Sequence, residues 1–384
     1  MALKPNEIRT IDLFVTEECN LQCDYCFHNP SASTLTVEQG KKILDEWKKL
    51  SPNNFEISFF GGEPLLYPET VLALMDYSRN VLWKDSNGKV NVGFHITTNG
   101  TYFDEAMFKK YLALGASIQL SIDGDEKTQR EHRGGDPQLI YDNALKIRAL
   151  FPDDKLSCRM TFTPNTVGRL SVNVTFIRET LGITRIMFHA TMEDTWSKED
   201  LDKYNAQLNN LYHYRRYLKK SYSPIDIMFI DKPLKIVNDE QPGEKDFCQA
   251  GKTYLAILPN GDVYPCHRAA SKRIFKLGNM FEKRPFIRGM FLEINKDRTG
   301  CSDCQAVQTC HSCPITHYVV NGDLMHPLRK SGYCGICEIE AQQAYTFLPT
   351  ELSDKFERKI DRMGVVIADM AEQLLEKEKK NVSK

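Results

Sequence analysis

Apolar residues in the first half of the chain recur in short runs rich in Ile, Val, Phe and Leu. Six of them read as strands: Ile11–Val15, Phe55–Phe60, Val92–Thr97, Ser117–Ile122, Leu156–Phe162 and Thr184–His189. Between them the period lengthens to that of amphipathic helices. One helix starts at Thr36, where T-x-x-Q makes a capping box ahead of KKILDEWKKL. Others follow Pro68, end at Gly115, cover PQLIYDNALKIRALF, end at Gly182 and follow Ser197. Strand-then-helix units imply parallel strands joined by crossovers, because parallel neighbours need a long connection. Six units fall short of the eight that close a barrel, so the pattern predicts an α/β fold, a partial (β/α)6 TIM-like barrel.

Beyond about Tyr222 this rhythm stops. Residues 246–345 are rich in Cys, Gly and Pro, with a hairpin signal in YLAIL-PNGD-VYP. Small loop-rich segments of this kind depend on metal to stay folded. From about Leu352 a polar amphipathic helix runs to a charged end. The expected organisation is a barrel over 1–222, a bridge over 223–245, a Cys-rich domain over 246–345 and a helical tail over 346–384.

Composition narrows the function. Fifty Lys plus Arg against fifty-one Asp plus Glu give a net charge of −1, which argues against a duplex nucleic-acid or anionic-membrane binder. No apolar run approaches the roughly 18 residues of a membrane span. No apolar signal core follows the N-terminus, so the expected location is the cytoplasm. The basic stretch YHYRRYLKKSY over 212–222 reads as a solvated helix face or as a contact for an acidic leader peptide or RNA. Twelve cysteines are the anomaly, since thiols in a cytoplasmic chain more often hold metal than form disulfides.

Cys19, Cys23 and Cys26 follow the first strand in a CxxxCxxC spacing, Cys158 stands alone, and eight more lie between Cys248 and Cys337. Three thiolates can ligate three irons of a 4Fe–4S cluster and leave the fourth open. A zinc site with His28 as fourth ligand is the alternative. Cys158 reads as an inert buried thiol.

The CxxxCxYC stretch resembles the signature of the radical S-adenosylmethionine (SAM) superfamily, in which the open iron is chelated by SAM. Three more stretches at strand ends carry the resemblance: Gly61-Gly62-Glu63-Pro64, Thr97-Thr98-Asn99-Gly100 and Ser121-Ile122-Asp123-Gly124. The resemblance implies that Tyr25 packs near the adenine. It also implies that the backbone of Gly61, Gly62 and Glu63 holds the SAM amino group, and that Thr98 and Asn99 lie near the ribose. Ser121 and Arg133 would contact SAM, with Arg159 as second choice, and Phe188 and His189 would line the adenine or substrate pocket.

Cys248, Cys266, Cys301, Cys304, Cys310, Cys313, Cys334 and Cys337 resemble the SPASM extension behind such barrels. The family pattern has seven cysteines, with CxxxC where this chain has the shorter Cys310-x2-Cys313. The resemblance implies that Cys301, Cys304, Cys310 and Cys334 hold one auxiliary 4Fe–4S cluster. Cys248, Cys266 and Cys313, with Cys337, would hold the other. Three clusters in all are expected. Two zinc sites in a binding module remain the non-enzymatic alternative.

The resemblance implies reductive cleavage of SAM and hydrogen abstraction from a substrate. PCHR…FKLGN is similar to maturases of ribosomally made (RiPP) precursor peptides, some of which form thioether links from Cys to a carbon. Anaerobic sulfatase-maturating enzymes, which oxidise Cys or Ser to formylglycine, are the second choice. They place an Asp directly after the second SPASM cysteine, where this chain has His267. His267 reads as a general base or as a hydrogen-bond partner near a cluster sulfur. Radical modification of tRNA fits the barrel but not the neutral charge. The implied partners are a precursor peptide, an electron donor such as flavodoxin or ferredoxin and, with only about ten residues ahead of the barrel, a separate leader-binding protein.

Overall fold

The computed structural model describes residues 8–28, 30–50, 55–82, 92–223, 225–238, 248–270, 272–282, 301, 303–324, 327–329 and 331–354. Six strands alternate with helices: β1 (Thr10–Thr16), β2 (Phe55–Gly61), β3 (Val92–Thr98), β4 (Ala116–Ser121), β5 (Leu156–Phe162) and β6 (Arg185–Ala190). They pair in parallel in chain order. The expected strands therefore lie within two residues of the observed ones at either end. Their near-continuous apolar runs suit strands covered on both faces.

Helices α1 (Val37–Leu50), α2 (Pro68–Tyr77), α3 (Glu105–Ala113), α4 (Glu126–His132), α5 (Pro137–Leu150), α6 (Leu170–Glu179) and α7 (Lys198–Lys220) pack outside. The capping box before α1 forms as its sequence implies: Gln39 N donates to Thr36 Oγ1 at 3.2 Å and Thr36 N to Gln39 Oε1 at 3.0 Å. Ser197 and Asp200 do the same for α7. Each such cap is worth about 1 kcal/mol, so Ser197→Ala frays the helix start. Trp47 of α1 and Tyr111 of α3 are fully buried beneath these helices.

The sheet does not stop at six strands. A two-residue strand β7 (Asp226–Ile227) adds to β6, and α8 (Met228–Val237) follows it in the segment expected to be only a bridge. On the other edge β8 (Tyr254–Ile257) pairs in parallel with β1, matching Asp12 to Ala256. β9 (Asp262–Tyr264) and β10 (Gly278–Asn279) continue it antiparallel, giving ten strands. The expected hairpin is thus present, and it extends the barrel wall.

Residues 333–354 form a closing helix against α7. Tyr204 donates to Glu340 Oε1 at 2.7 Å, and Tyr212 stacks on Phe347 at 4.5 Å. This packing decides between the two readings of the basic stretch 212–222. Arg215 is 3% exposed and pairs with Asp231 and Glu351, while Arg216 and Lys220 pair with Asp354. Acidic groups from distant parts of the chain pair with these cations, so the run is not an open basic surface, while His213, Tyr217, Lys220 and Tyr222 form a solvated face as one of the two readings has it. The remainder of the expected helical tail, residues 355–384, lies outside the described residues. No helix among the described residues is long and apolar enough to cross a membrane.

Candidate active site

The loop after β1 carries Cys19, Cys23 and Cys26 at the C-terminal ends of the strands. The three thiols are electrostatic neighbours, and burial pushes Cys19 up and Cys23 to about 11. A thiol so shifted is neutral at pH 7 until a cation takes its proton's place.

Gly61 and Gly62 are needed for packing alone. A Cβ on Gly61 would lie 2.0 Å from Thr16 O, and one on Gly62 would lie 2.0 Å from Glu18 O. Gly61 also has φ +131°, a conformation closed to side-chain-bearing residues. The end of β2 thus lies directly against the start of the cysteine loop, with Gly62 N and Glu63 N donating to Thr16 O and Glu18 O. Glu63 is 1% exposed. It accepts from Leu65 N (3.0 Å), Thr98 Oγ1 (2.8 Å) and Asn99 N (2.6 Å), clamping β2 to β3. Burial pushes Glu63 up to about 7, against the pull of those donors. Asn99 Nδ2 reaches Asn20 Oδ1 at 2.8 Å and Cys19 Sγ at 4.0 Å.

On the other side of the loop, Tyr25 donates to Asp123 Oδ2. Arg133 grips the same carboxylate with Nε at 2.9 Å and Nη2 at 3.0 Å, and its guanidinium lies 5.5 Å from the Tyr25 ring. Thr161 N donates to Asp123 Oδ1 at 2.8 Å. Arg133 is therefore engaged by a carboxylate of the chain itself, a role the Ser121-to-Arg133 spacing did not reveal. Ser121 and Arg159 are direct register partners on β4 and β5, and Thr161 and His189 are partners on β5 and β6. The Arg159 guanidinium makes no hydrogen bond or ion pair among the described residues, with Asp12 as an acidic neighbour. Burial, then Arg268 and Arg133, pull it down to about 10. His189 lies 4.4 Å from the Phe229 ring, its Nδ1 is unpartnered, and burial and Arg159 hold it far below its usual range, hence neutral. Phe188 packs against Phe162 and Phe229 and is 1% exposed.

His267 follows Cys266 and points back at β1. Its Nδ1 lies 2.6 Å from both Asp12 Oδ2 and the Tyr254 hydroxyl. A carboxylate only accepts, so Nδ1 carries the hydrogen and Nε2 keeps a lone pair. Phe60 stacks on the ring at 4.8 Å and Phe27 lies at 5.6 Å. Arg268 pairs with Glu193 and lies 5.1 Å from the Phe27 ring. Asp12 went unread in the sequence. Its one signal is a carboxylate at the centre of an apolar strand, 3% exposed once folded.

The C-terminal thiols fall into two groups. Cys266 has Cys313 and Cys248 as neighbours, and Cys334 has Cys310 and Cys301. Cys304 joins the latter through its turn, Cys304 N donating to Cys301 O at 3.1 Å. Cys337 departs from the expectation. It lies beside Cys310 and Glu340, 2% exposed, rather than with Cys248, Cys266 and Cys313. It is held there by the closing helix, which also brings Glu340 to 3.3 Å from His311. Cys158 donates to Ile122 O at 3.4 Å and is pushed to about 12 by burial, as befits an inert thiol.

The donor sets fit clusters better than single ions. Tetrahedral zinc at about 2.3 Å from each sulfur holds thiolates about 3.8 Å apart. No three thiols here lie within 4.8 Å of one another, although all twelve cysteines are described and free. A cluster spreads its thiolates over separate irons and needs that wider set. His28 packs on Phe14 at 5.6 Å with Nε2 3.9 Å from Glu17, and makes no compact ligand set with the loop thiols. A cavity of about 570 Å³ lies at the opposite end of the strands, lined by Glu56, His95, Gln119 and Met187 among others. It lies away from the cysteine loop.

Residues 13–168 match the radical SAM superfamily, and residues 248–314 match the iron–sulfur cluster-binding domain SPASM. The chain thus carries a radical SAM domain and an iron–sulfur cluster-binding SPASM domain, the domains of an enzyme of SAM and iron–sulfur chemistry. The radical SAM cyclopropyl synthase TigE of Paramaledivibacter caminithermalis is 20% identical over 68% of this chain and 57% of its own length. In fold the chain is similar to anSMEcpe with bound AdoMet, at TM-score 0.73 and 18% identity over 89% of this chain and 98% of that one. It is also similar to Streptococcus suis SuiB bound to its precursor peptide SuiA, at TM-score 0.59 and 19% identity over 84% and 75%.

Proposed function

We propose that the enzyme is a cytoplasmic peptide maturase that joins a Cys sulfur of a precursor peptide to a carbon of another residue. The observation that carries it is His267, held by Asp12 and Tyr254 beside Cys266, with Nε2 left to accept a proton. Structures of two proteins of similar fold hold peptides, Kp18Cys on anSMEcpe and SuiA on SuiB, which supports a peptide substrate here.

When bound, SAM and the cluster on Cys19, Cys23 and Cys26 supply the oxidant that removes a hydrogen atom from carbon. Forming the C–S bond also releases the thiol proton and one electron. His267 takes the proton at Nε2 while Asp12 and Tyr254 fix its ring. Phe27 and Phe60 pack against that ring, which stays half-buried. Cys266, the residue before His267, belongs to one of the two C-terminal thiol groups, which would hold auxiliary clusters able to accept the electron. With the loop cluster they make three 4Fe–4S centres, about twelve irons per chain. An electron donor such as flavodoxin or ferredoxin would reduce the loop cluster, leaving the auxiliary clusters oxidised. Recognition of the precursor falls to the barrel and SPASM surfaces or to a separate leader-binding protein.

The test is anaerobic incubation with SAM, a reductant and the Cys-containing precursor encoded next to the enzyme. Each link should lower the peptide mass by about two hydrogens, resist reduction and block alkylation of one thiol. A peptide that stays fully alkylatable, alongside a sulfatase-derived peptide converted to formylglycine, would refute cross-linking and establish the second reading.

A further inference from the structure

We propose that Arg159 receives a carboxylate of the peptide substrate, so that the residue losing hydrogen, or its neighbour, is an Asp or Glu. This deepens the peptide-maturase reading and rests on it. The site is built from three arginines. Arg133 is matched by Asp123 and Arg268 by Glu193. Arg159, which has both as charged neighbours, makes no ion pair among the described residues; its acidic neighbour Asp12 is bonded to His267 instead. Arg159 is half-buried, and with two like charges beside it and no ion-pair partner its charge is costly to keep uncompensated. Such a site favours an incoming anion, and the planar fork suits a carboxylate held through two oxygens.

Position decides whose carboxylate it is. Arg133 has Cys23 and Tyr25 of the first loop as neighbours. Arg268 has Cys313 and Cys266 of the SPASM region. Arg159 stands between the two, where a substrate passing a hydrogen one way and an electron the other must lie. Its register neighbours are Ser121 on β4 and Met187 on β6, with neutral His189 two register pairs further along β6. Ser121, Met187 and His189 bring no negative charge, and the nearby Asp12 carboxylate is taken up by His267.

The test uses the cluster-loaded, oxidised enzyme with SAM and two small probes, N-acetyl-glutamate α-amide and N-acetyl-glutamine α-amide, followed by saturation-transfer NMR. The acid should bind about tenfold or more tightly than the amide, the range for one charged hydrogen-bonded pair. Arg159→Met should abolish that preference and Arg159→Lys should retain part of it, with iron content and SAM affinity unchanged in both. Equal binding of the two probes to the unmodified enzyme would overturn the proposal without any variant. A tenfold loss of SAM affinity in Arg159→Met would also overturn it, by giving the guanidinium to the SAM carboxylate. Neither readout involves turnover. Carboxylate preference without cross-linking would therefore refute the cross-linking reaction alone, and cross-linking without preference would refute this inference alone.

Discussion

Removing the Arg133 guanidinium should loosen the cysteine loop before it affects SAM directly. In the native structure Asp123 accepts from Arg133 Nε and Nη2, the Tyr25 hydroxyl and Thr161 N. Its side chain is 0% exposed and that of Arg133 is 9% exposed. Arg133→Met leaves Asp123 buried with two donors and no counter-charge. Breaking one side of a buried pair costs about 3–5 kcal/mol. Asp123→Asn strands the arginine instead and should cost a similar amount. Changing both removes both orphaned charges, so the double variant should be less destabilised than the sum of the singles by about 2 kcal/mol or more. Urea midpoints taken anaerobically with the clusters in place, at a common slope, give the three values. The three proteins should also lose iron from the loop site in the same order, because Tyr25 sits between Cys23 and Cys26. If Arg133→Met kept the wild-type midpoint but lost SAM affinity, the guanidinium would serve SAM and not Asp123, and the reasoning here would fail.

Glu63→Gln should flatten the pH dependence of stability. Burial raises the folded carboxyl from 4.5 to about 7, so the folded state binds the extra proton and stability falls as pH rises between those values, by about 3 kcal/mol in all. Urea unfolding at pH 6 and 8 should show wild type losing more than Glu63→Gln; parallel losses would remove Glu63 from the account. Gly62→Ala should prevent the loop from closing, since its Cβ meets Glu18 O at 2.0 Å, and about four irons should be lost. Retention of full iron would contradict it. Asp12→Asn should cut peptide product at least tenfold while SAM cleavage continues uncoupled, because it removes the acceptor that orients His267. A matching fall in SAM cleavage would place the defect elsewhere. Cys337→Ala should keep about twelve irons, since its thiol sits beside Cys310 rather than with Cys248, Cys266 and Cys313. A loss of about four would restore it as a ligand of that group.

The barrel was legible because its code is local. Each strand is a run of apolar residues, and each helix carries its own cap, as Thr36 with Gln39 and Ser197 with Asp200 show. The two glycines and Glu63 were legible as a motif, though their packing reason, backbone oxygens 2.0 Å from a missing Cβ, needed coordinates. What stayed hidden depends on partners far along the chain. The basic run 212–222 reads as free charge until Glu351 and Asp354 arrive, more than 130 positions later. Asp12 reads as a flaw in a strand until His267, 255 positions away, meets it. Cys337 shares the Cys-x-x-Cys spacing of a ligand pair with Cys334, and three residues along a helix keep both thiols on one face, beside Cys310 and away from Cys248, Cys266 and Cys313.

The pairing of β8 with β1 ties these hidden contacts together. The cysteine loop leaves the end of β1, and the hairpin β8–β9 delivers Cys266, His267 and Arg268 from the strands beside it. Asp12 stands opposite Ala256 in that register, and Tyr254, two residues earlier on β8, shares His267 Nδ1 with it. A shift of one residue would turn every β8 side chain to the other face and take Tyr254 away from the histidine. The SPASM region is therefore set at a fixed height on the barrel by a backbone ladder, and flexible linkage is excluded for its first hairpin. A radical formed on one side of the substrate must be oxidised on the other before it reacts elsewhere. A shared sheet fixes Cys266 and His267 relative to the first cysteine loop, which is the arrangement the proposed roles of Arg159 and His267 require.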